Sequence, residues 1–178
     1  MTLSEIIKSA LSQLGMPTDA AAVALHGDRL KGYANDAVQD IAAAVKPSRC
    51  EYAAASEGRI DLSGLERACV KLTSVRQDGR ELEFCAGGDD SVLVAASGEC
   101  ELRYVYAPAE LKADGDAPEL PEHTHWLIPL YVVARERMAA DTANQQGAEP
   151  YMNVYLLAKR SLRPNRGESD SYRIVNRW

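Results

Sequence analysis

The sequence lacks the long hydrophobic runs that mark membrane and secreted proteins. It contains no stretch of about 18 apolar residues, the length that a helix needs to span a bilayer. The first ten residues, MTLSEIIKSA, carry Glu5 and lack the basic start of a signal peptide. We therefore expect a protein that is made and kept in the cytoplasm and has no membrane partner.

Motifs of the common catalytic folds are also missing. The chain has no G-x-S-x-G, P-loop or G-x-G-x-x-G pattern, so activated-serine, nucleoside triphosphate and dinucleotide chemistry lack their local signatures. His123 and His125 lie two positions apart at a predicted helix start, where their side chains would point about 200° apart. Such a pair would not hold one metal ion. We predict no enzyme activity, no cofactor and no metal.

The segment Gly87-Gly88-Asp89-Asp90 is similar to the signature of cyclic-dinucleotide synthases, in which paired carboxylates hold magnesium beside a tight turn. That enzyme family needs a much longer, doubly wound domain. Glycine and aspartate also tolerate the left-handed backbone conformation that hairpin turns require. We interpret the segment as a β-hairpin turn.

The cysteines are few and widely spaced. Cys50, Cys69, Cys85 and Cys100 are 19, 16 and 15 positions apart, and no Cys-x-x-Cys pair occurs. Zinc ribbons need such pairs. We predict four thiols buried in strands.

The composition is that of an ordinary globular protein, with 26% charged and 46% apolar residues. A chain of 178 residues suits one domain that buries roughly 70% of its unfolded surface. The net charge of -6 is unevenly spread, because from Lys159 onward six basic residues stand against two acidic ones. The end of the chain therefore carries +4 and the rest -10, which predicts different partners for the two parts.

Apolar residues at three-and-four spacing predict four helices, over residues 2–14, 28–45, 121–142 and 150–162. Pro17 and Pro47 follow the first two and should end them. Pro121 suits a first helical position, and Pro129 should kink the third helix near its first turns. A polar gap of about eight residues separates the last two helices and predicts an antiparallel helical hairpin.

Between residues 50 and 107 the apolar period changes to two, with turn signals at 57–58, 77–79, 87–90 and 97–98. This pattern predicts antiparallel strands with one packed and one wet face. The predicted fold class is mainly α with a small antiparallel β insertion, a helical bundle plus a sheet of about 4–5 strands. We place both in a single domain over residues 1–162.

The last sixteen residues, RPNRGESDSYRIVNRW, have no sustained helical stripe and mix basic with polar side chains. We predict a flexible carboxy-terminal arm over residues 163–178. The arm closes with Tyr172, Ile174, Val175 and Trp178, apolar residues that a purely solubilising tail would not need. This combination favours a segment that becomes ordered on binding.

A characteristic order of elements runs through the second half of the chain. A strand ends in Tyr104-x-x-x-Pro108, a helix start Leu120-Pro121-Glu122 follows, and two apolar stripes run from Leu127 to Met138 and from Tyr151 to Leu162. This order resembles the head-to-tail adaptor proteins of tailed bacteriophages. The amino-terminal helical pair and the segment from Arg59 to Phe84 also follow the order of elements in that family.

The resemblance implies a structural protein of the virion neck. In that family, copies form a ring, commonly of twelve, which connects the portal protein to the tail or to further neck proteins. The helical hairpin would build the ring, and the carboxy-terminal arm would dock against the portal. DNA would pass through the channel without specific binding, because carboxylates repel phosphates.

Three groups of interface candidates follow on this chain. The portal-docking candidates are the basic and apolar residues of the arm: Arg163, Arg166, Tyr172, Arg173, Ile174, Val175, Arg177 and Trp178. The ring-interface candidates are outward residues of the hairpin: Arg135, Arg137, Asp141 and Lys159. The channel-facing candidates are the acidic residues of the loop before it: Asp114, Asp116, Glu119 and Glu122.

Other functions stay open at this point. A nucleic-acid-binding accessory protein would use the basic tail and the amino-terminal helices, and its binding to DNA would be strong and steeply salt-dependent. A tail-side neck or tail-completion protein would fit a β segment that is longer than the simplest adaptors require. A small hydrolase would need a deep pocket that joins His123 or His125 to carboxylates.

Overall fold

The computed structural model describes residues 1–139 and 147–162. These residues form two compact units, each with its own hydrophobic core. The helical unit comprises Met1–Val45 and Ala107–Leu162, and the strand unit comprises Lys46–Tyr106. The chain thus leaves the first core after Val45 and returns to it at Ala107.

The described residues of the helical unit contain four α-helices: α1 (Leu3–Gln13), α2 (Ala20–Val45), α3 (Leu127–Ala139) and α4 (Ala148–Ser161). Helix α1 begins with a reciprocal cap. The Thr2 hydroxyl accepts from the Glu5 N–H at 3.4 Å, and the Glu5 carboxylate accepts from the Thr2 N–H at 2.9 Å. Two main-chain donors at the helix start are satisfied in this way.

Helix α2 begins at Ala20, well before the predicted start at residue 28. The carboxylate of Asp19 accepts from the N–H of Ala22 at 2.8 Å and so caps the helix. The alanine-rich run after Asp19 has high intrinsic helix propensity. Asp28, which the sequence suggested as the start, lies inside the helix.

Helix α3 begins at Leu127, later than the predicted start at residue 121. Pro121 instead precedes a short 3-10 helix, Glu122–Thr124. Pro129 lies in the first turn of α3, where a main-chain N–H would have no acceptor within the helix. The proline therefore removes no helical hydrogen bond. The predicted end of this helix at residue 142 lies outside the described residues.

The core of the helical unit is built from the apolar faces of all four helices. Its largest fully buried side chains include Leu3, Ile6, Leu11, Leu30, Ile41, Leu127, Ile128 and Tyr155. The segment after Ala107 is fixed to this core through Asn35, whose amide donates to the Leu111 carbonyl at 3.2 Å and accepts from its N–H at 2.8 Å. Leu111 is buried as a result.

The strand unit contains seven strands: β1 (Ser48–Ala55), β2 (Arg59–Asp61), β3 (Cys69–Gln77), β4 (Arg80–Leu82), β5 (Phe84–Gly88), β6 (Ser91–Val94) and β7 (Gly98–Tyr106). They form two antiparallel sheets. The four-stranded sheet has the order β1-β7-β3-β4, and the three-stranded sheet has the order β2-β6-β5.

Three tight turns connect these strands. Both residues of Glu57-Gly58, of Asp78-Gly79 and of Asp89-Asp90 have positive φ angles, between 46° and 76°. Positive φ at both central residues is typical of the turns that match the twist of a β-hairpin. The hairpin interpretation of Gly87–Asp90 is therefore confirmed, with β5 and β6 on either side.

Every strand except β5 contributes at least one side chain to the strand core. On β7, Cys100, Leu102 and Tyr104 are fully buried, and the residues between them are only half-buried. Val75, Ile60 and the valines of β6 complete the core. This alternation follows from the period of two in a strand.

The prediction of four buried thiols is confirmed for Cys100 only. All four cysteines lie in strands, but Cys50 and Cys85 are exposed, Cys69 is half-buried and Cys100 is buried. Cys50 and Cys100 lie on opposite sides of the four-stranded sheet because their registers place them on alternate faces. The apolar character of a cysteine did not reveal which face it takes.

The predicted fold class, mainly α with one small sheet of about 4–5 strands, is wrong. The structure is about 43% helical and 27% strand, with two antiparallel sheets of four and three strands. The segment that the sequence suggested as an insertion buries its own set of side chains. Two three-residue strands, β2 and β4, are too short to show a period in the sequence.

Candidate assembly interface

Helix α4 leaves one apolar face uncovered. Val154 is 48% exposed and Leu157 is 66% exposed, and their spacing of three puts them on the same side of the helix. Leu156 is also exposed. Tyr155, which stands between Val154 and Leu156 in the sequence, is fully buried. The helix thus packs on its tyrosine side and presents large apolar side chains on the other.

The buried side of α4 is fixed by a polar cluster with α2. The Tyr155 hydroxyl donates to Asp40 at 2.5 Å, and the Lys159 ammonium donates to the same carboxylate at 2.6 Å. Partial burial acts to raise the pKa of Asp40, but the hydrogen bonds from Lys159 and Tyr155 outweigh it and hold the pKa below its usual value. Burial, followed by the bond to Asp40, raises the pKa of Tyr155. The cluster therefore holds an ionised carboxylate and a neutral phenol.

The ring-interface candidates occupy different positions. Lys159 belongs to the cluster with Asp40, so its charge is paired within the helical unit. Arg135 is exposed, and its guanidinium lies over the rings of Tyr33 and Tyr131, 5.6 and 5.9 Å from their centroids. Stacking of this kind orients an arginine and still leaves its edge towards solvent.

Arg137 is half-buried. Its guanidinium lies 5.3 Å from the centroid of the Tyr151 ring and donates to the Gln13 carbonyl at 3.4 Å. These contacts join the ends of α1, α3 and α4. Asp141, the fourth candidate, lies outside the described residues.

An ion pair between α2 and α3 was not predicted. Glu136 is 8% exposed, and Arg29 donates to it through Nε at 2.8 Å and through a second guanidinium nitrogen. A buried carboxylate needs such a partner because an unpaired one would be strongly destabilising. The position of Glu136 within the apolar stripe of α3 was the only sign in the sequence that this carboxylate is buried.

The acidic loop divides into structural and exposed residues. Asp116 accepts from the N–H groups of Ala113 and Lys112 at 2.8 and 2.7 Å, and these bonds lower its pKa. Glu119 accepts from the N–H of Ala109 at 3.4 Å. Asp114 and Glu122 are exposed. Of the channel-facing candidates, Asp116 and Glu119 thus help to shape the loop. Asp114 and Glu122 present their charge to solvent.

The histidine pair separates into a buried and an exposed residue. His125 is buried, with Nε2 at 2.9 Å from the Leu120 carbonyl and Nδ1 at 3.1 Å from the amino group of Met1. Because a carbonyl only accepts, Nε2 carries the proton and Nδ1 accepts. His123 is exposed. In the described part of the chain, no group of three or more His, Cys, Asp or Glu residues is placed to hold a metal ion.

The strand unit has a polar cluster of its own. The Tyr104 hydroxyl donates to Glu51 at 2.6 Å, Glu51 accepts from the N–H of Glu66 at 3.1 Å, and Arg49 pairs with Glu66 at 2.6 Å. Burial and the bond to Glu51 raise the pKa of Tyr104 to about 12. The bond from Tyr104 lowers the pKa of Glu51. These contacts fix the loop around Glu66 against the sheet.

The sequence did not reveal the contacts of the two polar clusters, and Lys159 was predicted only as an outward residue of the hairpin. Tyr155 and Lys159 are one turn apart on α4, which is a signal for a shared partner, but nothing in the sequence identifies Asp40 as that partner. Glu51 and Tyr104 are 53 positions apart and meet only because β1 pairs with β7.

The portal-docking candidates, all within residues 163–178, lie outside the described residues. None of the helices in residues 1–139 and 147–162 combines the length with the hydropathy that crossing a bilayer requires. No protein-family model and no curated protein sequence matches the chain.

Proposed function

We propose that the protein is a structural component of a bacteriophage neck, whose copies form a ring between the portal and the tail or further neck proteins. The observation that supports this proposal best is the uncovered apolar face of α4, with Val154 and Leu157 about half or more exposed. Contiguous exposed apolar side chains are typical of protein–protein contact. In the order of elements that resembles head-to-tail adaptors, α4 is the second helix of the hairpin that builds the ring.

In this proposal the α4 face of one copy packs against a different surface of the next copy. Head-to-tail contacts of this kind close into a ring when the rotation per copy divides a full turn. Arg135, whose guanidinium is stacked on Tyr33 and Tyr131, makes a separate contact in this proposal by reaching a carboxylate of the neighbour. Lys159 and Arg137 act indirectly. Lys159 fixes α4 against α2, and Arg137 joins α3 to α1 and stacks on Tyr151 of α4.

The charged loop and the arm have separate roles in the proposal. Asp114 and Glu122 face the channel, where their negative charge keeps packaged DNA from adhering. Residues 163–178 dock against the portal, and repetition around the ring makes the sum of weak contacts strong. Such a protein needs no catalytic site and no cofactor.

The proposal is tested by light scattering of the purified protein, alone and after mixing with isolated portal rings. We expect a species of about 19.4 kDa that joins the portal in a fixed multiple. Leu157→Asp should weaken joining by at least about tenfold, because the contact would bury an unpaired charge. A folded protein that never joins the portal would contradict the proposal.

Ala24→Asp is the matched control for Leu157→Asp. It adds the same charge at an exposed position of a different helix, so joining should equal that of the native protein. Circular dichroism establishes that both variants are folded. Equal joining by Leu157→Asp and the native protein would exclude α4 from the contact.

A tail-side neck or tail-completion protein is the second candidate, and the size of the strand unit favours it. Seven strands with their own core exceed what a small insertion requires. This candidate predicts that the protein joins isolated tails rather than portal rings. The same mixing experiment, with tails in place of portals, separates the two.

A further inference from the structure

Trp126 is an exposed tryptophan on a well-fixed part of the helical unit. It directly precedes α3 and is 52% exposed, whereas its neighbours Thr124, His125 and Leu127 are buried. The N–H and the hydroxyl of Thr124 both donate to the Pro121 carbonyl at 2.8 Å. The buried residues on either side hold the indole at the surface, so that binding through it requires little ordering of the main chain.

An indole that is half in water marks a candidate contact surface. Tryptophan has a large apolar area and is among the residues most enriched at the energetic centres of protein interfaces. Outside α4, the other large exposed apolar side chains in the described part of the helical unit are Met1, Leu25 and Met138. Of these four residues, only Trp126 has an aromatic ring, whose face also attracts a cation.

The uncovered face of α4 ends in a cation of this kind. Val154, Leu157 and Arg160 follow one another at a spacing of three, so they lie along the same side of the helix. Arg160 is exposed and has no ion-pair partner among residues 1–139 and 147–162. Leu157 and Arg160 are about 4.5 Å apart along the helix axis. A single indole can therefore cover the leucine and lie within about 6 Å of the guanidinium.

Trp126 and the uncovered face of α4 belong to different sides of the helical unit. Tyr131 of α3 faces α4, because its ring centroid lies 5.1 Å from that of Tyr155. Trp126 stands five positions before Tyr131, which is about 140° around a helix of 3.6 residues per turn. The indole therefore points away from α4 of its own copy. A head-to-tail contact needs two such different surfaces on every copy.

We propose that Trp126 of one copy packs on Leu157 and Arg160 of the next copy. The contact rests on the proposed function, a ring of copies, and it identifies the surface of the neighbour that the α4 face meets. The indole covers Leu157, the aliphatic stem of Arg160 extends the apolar area, and the guanidinium lies over the ring. Each copy supplies one indole and one α4 face, so that all contacts in a closed ring are the same.

Joining of the full-length protein to isolated portal rings, measured by light scattering over a range of protein concentrations, tests this contact. Trp126→Ala should raise the concentration for half-maximal joining by at least about tenfold. In the double variant, Leu157→Ala should weaken joining by about threefold or more less than it does alone, because the two side chains lose the same contact. Circular dichroism establishes that the variants are folded.

Leu25→Ala is the matched control, because it truncates a 78% exposed apolar side chain on α2, outside the contact. Its joining should equal that of the native protein. If the native protein joins the portal and Trp126→Ala joins equally well, this contact is excluded and the ring proposal still stands.

The double variant also separates this contact from other roles of Trp126. Fold-changes of Trp126→Ala and Leu157→Ala that simply multiply would mean that the indole contacts the portal or another surface, and would overturn the proposed contact. A native protein that never joins the portal would contradict the ring, and with it both proposals.

Discussion

At the residue scale, Asp40 fixes α4 against α2 through two side chains of α4. It is the only described partner of the Lys159 ammonium in an ion pair, and it also accepts from the buried Tyr155 hydroxyl. Tyr155 is fully buried, so its hydroxyl would be costly to leave without an acceptor. Asp40 itself is partly exposed, which weakens the ion pair by solvent screening. The hydrogen bond to Tyr155 is therefore the stronger restraint.

Asp40→Asn should lower the free energy of unfolding near neutral pH by about 1 kcal/mol, because the charge that Lys159 and Tyr155 bind is lost. The pKa of Asp40 lies below its usual value in the folded protein. Its stabilisation is therefore complete above the unfolded pKa, about 4, and is lost as the pH falls through the lower folded pKa. Urea unfolding at several pH values should show the native and variant curves converging in acid.

Asp36→Asn is the control for this measurement, since Asp36 is an exposed aspartate one turn earlier on α2. Its effect should stay within about 0.5 kcal/mol at every pH. A constant difference between Asp40→Asn and the native protein down to strongly acidic pH would show that the ionised carboxylate is not what holds α4.

At the scale of elements, the tight turns set the register of the strand unit. Gly58 and Gly79 both have φ near +75° and both follow a residue with positive φ. They differ in their surroundings. A Cβ at Gly58 would lie 3.0 Å from the Val94 carbonyl oxygen, whereas a Cβ at Gly79 meets nothing within 4 Å.

Gly79→Ala should cost about 1 kcal/mol of unfolding free energy, the strain of an alanine with positive φ. Gly58→Ala should cost about 2–3 kcal/mol, because the added methyl also presses on β6. The Gly58 carbonyl accepts from the Val94 N–H at 2.8 Å, and the movement that relieves the clash would stretch this bond. Equilibrium urea unfolding measures both, and equal costs would contradict the role of the close approach.

The elements differ in how far the sequence reveals them. The apolar stripe of α1 and the turn pairs Asp78-Gly79 and Asp89-Asp90 are local signals, and each predicts its element correctly. The start of α2 depends on Asp19. This residue can be recognised as a helix cap only together with the alanines that follow it. The division into two sheets depends on pairing between distant strands, such as β1 with β7. No local pattern carries that information.

At the scale of the whole molecule, two cores share one chain. The strand core is formed by a continuous segment, whereas the helical core joins segments from either side of it. The candidate assembly surface on α4 belongs to the helical unit. Interface residues could be predicted from sequence only as outward positions of a helix. Lys159 shows the limit, because its partner Asp40 lies 119 positions away.

Matched substitutions in the two cores test whether the units lose stability separately. Val38 and Val75 are both 0% exposed, one in each core. Val38→Ala and Val75→Ala should each cost about 1–3 kcal/mol, because they remove the same buried methyl groups. Hydrogen exchange should quicken mainly over residues 1–45 and 107–139 in the first variant, and mainly over residues 46–106 in the second. Faster exchange over the whole chain in both variants would mean that the two cores unfold as one cooperative unit, and assembly through α4 would then depend on the strand unit as well.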